Sequence, residues 1–303
     1  MFTRRTMMLA TGAFALAPRV SRAASRDAFV VVDGTEFRVV GRRYPFVVAN
    51  CRWDALSETG LSLRLDALKA RGVTTLRLIE PSTAETMGSL RRLDLLLAEL
   101  ARRDMKAIMP LANFWDRSGG MATYLRWTGG GRQRNAGPTT IPYHDHVRAL
   151  VERTNAVTGV AYARDPTIMA WRLADQPLPN ANGSIAPADL TAYYGWIRDA
   201  SALVRRLAPH HLISTGGEGL KTCMAQATCG VGATVPDIDY VTTRGWPQSW
   251  SDLDAADLAA AGPEAERLAG SYIACHRAIA RRLNKPLVIE DDGRFPAGLD
   301  RLT

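Results

Sequence analysis

Short β-type runs and helix-period runs alternate along most of this chain, and that alternation limits its fold more than any other feature. Phe46–Asn50 reads as a buried strand, Leu61–Ala70 as a helix and Thr74–Leu78 as the next strand. Ser89–Arg102, His144–Ala156, Pro187–Leu207 and Ala265–Leu283 continue as helices. Ala107–Leu111, Ile168–Leu173, Leu212–Thr215, Tyr240–Thr243 and Leu287–Glu290 continue as strands. Strands that alternate with helices form a parallel sheet with helices packed on it. No glycine-rich nucleotide fingerprint accompanies the pattern. An α/β (β/α)8 TIM barrel is therefore expected rather than a doubly wound sheet.

Both ends add to this plan. Ala28–Val32 and Glu36–Val40 flank Asp33-Gly34, and Asp-Gly is a hairpin signal, so an N-terminal β-hairpin precedes the barrel. After Gly293 only ten residues remain. They are too few for another helix, strand and closing helix, so the eighth strand–helix unit is expected to be missing. Either the barrel stays open or the chain is a truncated product.

The first residues carry an address rather than a fold. Thr3-Arg4-Arg5 precedes an apolar run from Met7 to Ala17, and Ser21-Arg22-Ala23 supplies small residues around a cleavage point. Residues 1–23 read as a twin-arginine-like signal peptide, and residues 24–303 as one barrel domain. The apolar run is too short to span a bilayer. The expectation is an exported, periplasmic or extracellular protein with no membrane contact after cleavage. The net charge of +8 comes from arginines scattered along helical segments, such as Arg91-Arg92 and Arg205-Arg206. They read as solvated helix faces, and no nucleic-acid motif accompanies them. Cys223 and Cys229 are close enough for a local disulfide, while Cys51 and Cys275 are expected to be buried thiols. His144 and His146 lack a third ligand nearby, so no metal site is expected.

A barrel keeps its chemistry at the C-terminal ends of its strands. Trp171-Arg172-Leu173-Ala174-Asp175-Gln176-Pro177 ends the fourth barrel strand, and Val288-Ile289-Glu290-Asp291-Asp292-Gly293 ends the seventh. A retaining glycosidase places its two carboxyl groups at such ends, about 5 Å apart, one to protonate the leaving oxygen and one to attack the sugar. Asp165 through Trp171, followed by Asp175-Gln176-Pro177, resembles the strand-four signature of glycoside hydrolase family 5 endo-β-1,4-mannanases. Asn113-Phe114-Trp115, Ser118 through Met121, Tyr124 and Trp127 are similar to the long loop after strand three of that subfamily. Arg77, Arg153-Thr154-Asn155 and Gly217-Glu218-Gly219 also match.

The resemblance implies roles and departures. Gln176 occupies the acid/base position, where the family has Glu; an amide can hydrogen-bond a glycosidic oxygen but cannot protonate it. Asp291 occupies the nucleophile position, one methylene shorter than the family's Glu, a retreat of roughly 1 Å that costs about 100-fold in rate. Asp175 stands where an Asn holds the sugar 2-hydroxyl, and Arg77 where an arginine supports the nucleophile. Arg244 and Trp246 replace a His and an aromatic. Trp115, Trp127 and Trp246 are candidate sugar-stacking residues, whereas Trp171, inside a strand, is expected in the core. Strand alternation turns Glu290 away from the site. The family needs no metal or organic cofactor. The implied partner is β-mannan or a related oligosaccharide, taken by a monomer. Three functional readings follow: a mannanase with impaired activity, a non-catalytic glycan-binding pseudoenzyme, or a decayed product.

Overall fold

The computed structural model describes residues 28–53, 58–79, 87–112, 143–175, 177, 187–217, 231–244 and 263–291. Three short strands, β1 (Val31–Asp33), β2 (Glu36–Val39) and β3 (Arg42–Arg43), form an antiparallel sheet in which the expected hairpin gains a third strand. Gly34 takes a φ of +60° at the β1–β2 turn, the left-handed conformation that favours glycine in hairpins.

The main body alternates as expected. It runs β4 (Val48–Arg52), α1 (Leu61–Ala70), β5 (Thr75–Ile79), α2 (Met87–Ala101), β6 (Lys106–Pro110), α3 (Tyr143–Val151) and β7 (Ile168–Arg172). It continues through α4 (Pro187–Leu207), β8 (Leu212–Ser214), the short α5 (Val231–Thr234), β9 (Val241–Arg244), α6 (Pro263–Arg282) and β10 (Leu287–Asp291). Strands β4 to β8 pair in chain order in one parallel sheet, and β9 pairs with β10 in a second. Asp239 joins the two: its N–H donates to the Ile213 carbonyl at 2.8 Å, and its carboxylate accepts from the Ile213 N–H at 2.7 Å.

Side-chain direction sorts the core into two layers. Leu76, Leu78, Met109, Trp171 and Ile213 point outward against the helices, where Leu61, Leu65 and Leu68 of α1 and Tyr143, Val147 and Val151 of α3 form stripes at helical spacing. Trp171 is fully buried there, as expected of a core residue. Ile108, Ala170, Leu212, Tyr240 and Val288 form the inner layer with Phe37 and Tyr44. Tyr44 Oη lies 2.9 Å from both the Thr74 carbonyl and Thr75 Oγ1, so the small sheet closes the end of the barrel where the strands begin. The opposite end, where strands finish, is left for the site.

Two expectations about cysteines are corrected. Cys275 is exposed, because Tyr272, His276, Ile279 and Ala280 form the inward stripe of α6 and Cys275 falls between them. Cys51 is only half-buried, near the end of the first barrel strand. Cys223 and Cys229 lie outside the described residues.

Candidate active site

Four charged side chains from three strand ends and one following loop meet inside the barrel. Arg77 sits on β5, Arg172 ends β7, Asp175 follows β7, and Glu290 is on β10. Arg77 Nη1 lies 3.5 Å from Asp175 Oδ1 and 3.2 Å from Glu290 Oε2. Arg172 Nη2 lies 2.6 Å from that same Asp175 oxygen and 3.1 Å from that same Glu290 oxygen. Two guanidinium nitrogens and two carboxylate oxygens thus alternate in a closed ring. No member exposes more than 8 % of its side chain. Arg77 Nε also donates to Asn50 Oδ1 at 2.6 Å, which anchors the ring to β4.

The local sequence produces this convergence. Parallel strands alternate inward and outward residues, so Arg172 follows inward Ala170, and Glu290 follows inward Val288. Arg77 lies between outward Leu76 and Leu78. Burial disfavours the Arg172 cation, yet the adjacent Glu290 and Asp175 carboxylates outweigh burial and hold its proton more tightly than usual. Charges removed from water in this way are tolerated because each is paired.

Backbone contacts hold the segment that leads to position 176. The Asp175 N–H donates to the Ala112 carbonyl at 2.8 Å, and Tyr143 Oη donates to the Leu173 carbonyl at 2.8 Å. On the far side, Tyr193 Oη of α4 donates to the Pro177 carbonyl at 3.2 Å. The segment around Gln176 is thereby tied to β6, α3 and α4.

Of the sequence-derived candidates, Arg77 and Asp175 are brought together. Asp291 and Arg244 are described by backbone only, and β10 and β9 pair them side by side at their ends. Gln176, Trp115, Trp127, Trp246 and Glu218 lie outside the described residues. His144 is exposed, and the His146 ring Nε2 lies 2.8 Å from the Leu111 carbonyl. Among the described residues no group of three or more His, Cys, Asp or Glu side chains could hold a metal ion. None of the described helices is long and apolar enough to cross a membrane.

Sequence reasoning missed two members of the ring. Glu290 was expected to turn away, but its carboxylate stands between Arg77 and Arg172, beside Asp175. Val288 faces inward, so alternation along β10 carries Glu290 inward as well; the outward expectation came from taking Asp291 as the inward residue. Arg172 was passed over as part of a strand. The signal was present: each residue lies two positions after an inward apolar side chain.

Comparison with known proteins agrees with this architecture. A mannan endo-1,4-β-mannosidase F of Aspergillus fumigatus is 23 % identical over 306 residues, covering 88 % of this chain and 64 % of that protein. A putative mannan endo-1,4-β-mannosidase 5 of Oryza sativa is 30 % identical over 215 residues, covering 63 % of this chain and 41 % of that protein. This chain thus spans less than two thirds of either relative. The crystal structure of a glycoside hydrolase family 5 mannosidase from Rhizomucor miehei shares the fold, with a TM-score of 0.69 and 24 % identity over 88 % of this chain and 73 % of that one. The family described as glycoside hydrolase family 5 β-mannosidase-like matches residues 27–135 and 129–300. Those matches span most of the sequence, and the chain belongs to that family.

Proposed function

We propose that this protein presents a β-mannan-recognising cleft of the family 5 type in which retaining hydrolysis is impaired. Gln176 stands at the acid/base position and Asp291 at the nucleophile position. Arg77, Asp175 and Arg244 line the floor, and Trp115, Trp127 and Trp246 stack on sugar rings. The observation that supports this reading is the closed ring of Arg77, Asp175, Arg172 and Glu290. Asp175 Oδ1 and Glu290 Oε2 are each ion-paired with two guanidinium groups. In that arrangement they are fixed acceptors, and neither replaces the proton donor that Gln176 lacks. Mannan endo-1,4-β-mannosidases among the relatives supply the substrate class. The reading includes export through the arginine-paired N-terminal segment and action as a monomer.

A second reading, a non-catalytic glycan binder, rests on Gln176 itself. An amide keeps the shape and hydrogen bonding of the acid while removing proton transfer, so ground-state binding survives and transition-state stabilisation does not. Calorimetric titration of mannohexaose, with product analysis on the same sample, tests both. Binding with slow cleavage supports the impaired enzyme, and binding with none supports the binder. Absence of binding overturns both, and rapid cleavage overturns the claim of impairment.

A further inference from the structure

Among the described residues, the backbone is tethered unequally on the two sides of position 176. Before it, the Leu173 N–H donates to the Ser214 carbonyl at 2.9 Å, the Ala174 N–H to the Thr215 carbonyl at 3.4 Å and the Asp175 N–H to the Ala112 carbonyl at 2.8 Å. The Asp175 carboxylate is fixed as well, by Arg77 and Arg172. After it stands Pro177, which is buried and, as a proline, has no N–H to donate. Its backbone can be held only through the carbonyl, and that oxygen accepts from Tyr193 Oη at 3.2 Å.

Tyr193 is in turn held in place. It is 8 % exposed on α4, with its ring centroid 5.9 Å from that of Trp196 and 5.5 Å from that of Tyr194. Trp196 also meets the Tyr143 ring at 5.9 Å, so one aromatic group joins α4 to α3. A Cβ on Gly217 would stand 3.9 Å from Tyr193 Oη. The hydroxyl therefore lies between the segment that follows β7 and the segment that follows β8.

A residue that precedes proline is confined to extended backbone. With Asp175 already fixed, the direction of the side chain between them depends on where the Pro177 carbonyl is kept. A general acid works only within hydrogen-bond reach of the oxygen it protonates, and a shift of about 1 Å costs about 100-fold. We propose that Tyr193 is a positioning residue for the acid/base position: its hydroxyl, by holding the Pro177 carbonyl, aims the side chain of residue 176 into the cleft. This deepens the reading of position 176 given above and rests on it.

Kinetics of Tyr193→Phe in the full chain carrying Gln176→Glu and Asp291→Glu test the proposal. Phenylalanine keeps the packed ring and removes the donor. A dinitrophenyl group leaves without a proton, whereas the sugar leaving group of mannohexaose needs one. Tyr193→Phe is therefore expected to lower kcat/KM for mannohexaose about tenfold and that for a dinitrophenyl β-mannobioside by less than about twofold. A structural defect lowers both alike, so an equal fall, or no fall, would overturn the proposal. A second measurement needs no mannan. In the parent chain, Tyr193→Phe should take the order parameter of the Gln176 backbone N–H from about 0.85 to below about 0.6, and an unchanged value overturns the proposal. Cleavage of neither substrate by the chain with both carboxylates restored and Tyr193 intact defeats the family-based reading instead, and the role of Tyr193 then stands or falls on the Gln176 amide.

Discussion

Arg172 Nη2 stands 2.6 Å from Asp175 Oδ1, so the two residues that bracket Leu173 and Ala174 are ion-paired across the end of one strand. The pair is also joined to Glu290 and Arg77, which makes it part of a buried assembly rather than an isolated contact. Removing one member of a buried ion pair leaves an uncompensated charge. Arg172→Met is therefore expected to cost about 3–5 kcal/mol in urea unfolding. The exposed pair Arg198–Asp199, with its nitrogen and oxygen 3.5 Å apart, is the contrast. Arg198→Met should change stability by less than about 1 kcal/mol. Equal losses from both substitutions would contradict the burial argument.

Restoring both catalytic carboxylates should restore turnover. Gln176→Glu returns a titratable proton, and Asp291→Glu returns the missing methylene. Together they are expected to raise mannohexaose cleavage at least about 100-fold over the parent chain, with a smaller gain for either alone. Oligosaccharide analysis by chromatography measures this. An unchanged rate in a folded double variant would favour the non-catalytic reading.

Acid sensitivity should come in part from His211. Its Nδ1 accepts from Trp171 Nε1–H at 3.1 Å and its Nε2 meets the Asp165 carbonyl at 2.9 Å, an arrangement for the neutral ring with the proton on Nε2. Burial pushes the imidazole down to about 4. An unfolded histidine takes up its proton near ~6.5, so the unfolded state binds more protons between that pH and 4. This group's stabilisation is complete above the unfolded value and is lost as pH falls towards 4, by about 3 kcal/mol in total. Asp165 and Asp239, whose carboxyls burial pushes up, act in the opposite sense, because the native state binds their protons more tightly. Urea unfolding of the parent and of His211→Gln at pH 7.5, 6 and 4.5 isolates the difference. The parent should lose more stability than the variant across that interval.

Gly216 should tolerate no side chain. Its φ is +73°, and an added Cβ would fall 2.0 Å from the Ala174 carbonyl oxygen. Gly216→Ala is expected to cost at least about 2 kcal/mol from backbone strain and forced movement of Ala174. Because Asp175 follows Ala174, mannohexaose affinity should fall along with Tm. Calorimetry and a thermal melt of the same preparation check both. An unchanged melt would show that the loop after β8 adapts.

The barrel was legible because its signals are local. Leu76 and Leu78 announce a buried strand, and Tyr143, Val147 and Val151 announce a helix face, wherever the rest of the chain lies. Element ends moved by a few residues. The helix expected at His144–Ala156 stops at Val151, and beyond it Asn155 Oδ1 accepts from the N–H groups of Val157 and Thr158 in a turn that leaves no helix over those residues. Arg77 and Asp175 were legible through resemblance. Arg172 and Glu290 were not, because their importance lies in what they meet.

The amino-acid sequence by itself determined the alternating elements and the family to which the chain belongs, since periodicity and linear motifs depend on near neighbours. Only the tertiary structure decided the ring. Arg77 is 98 positions from Asp175 and 213 from Glu290, and no local pattern reports such a meeting. Convergence of the strands buries these side chains, and a charge removed from water must find an opposite charge.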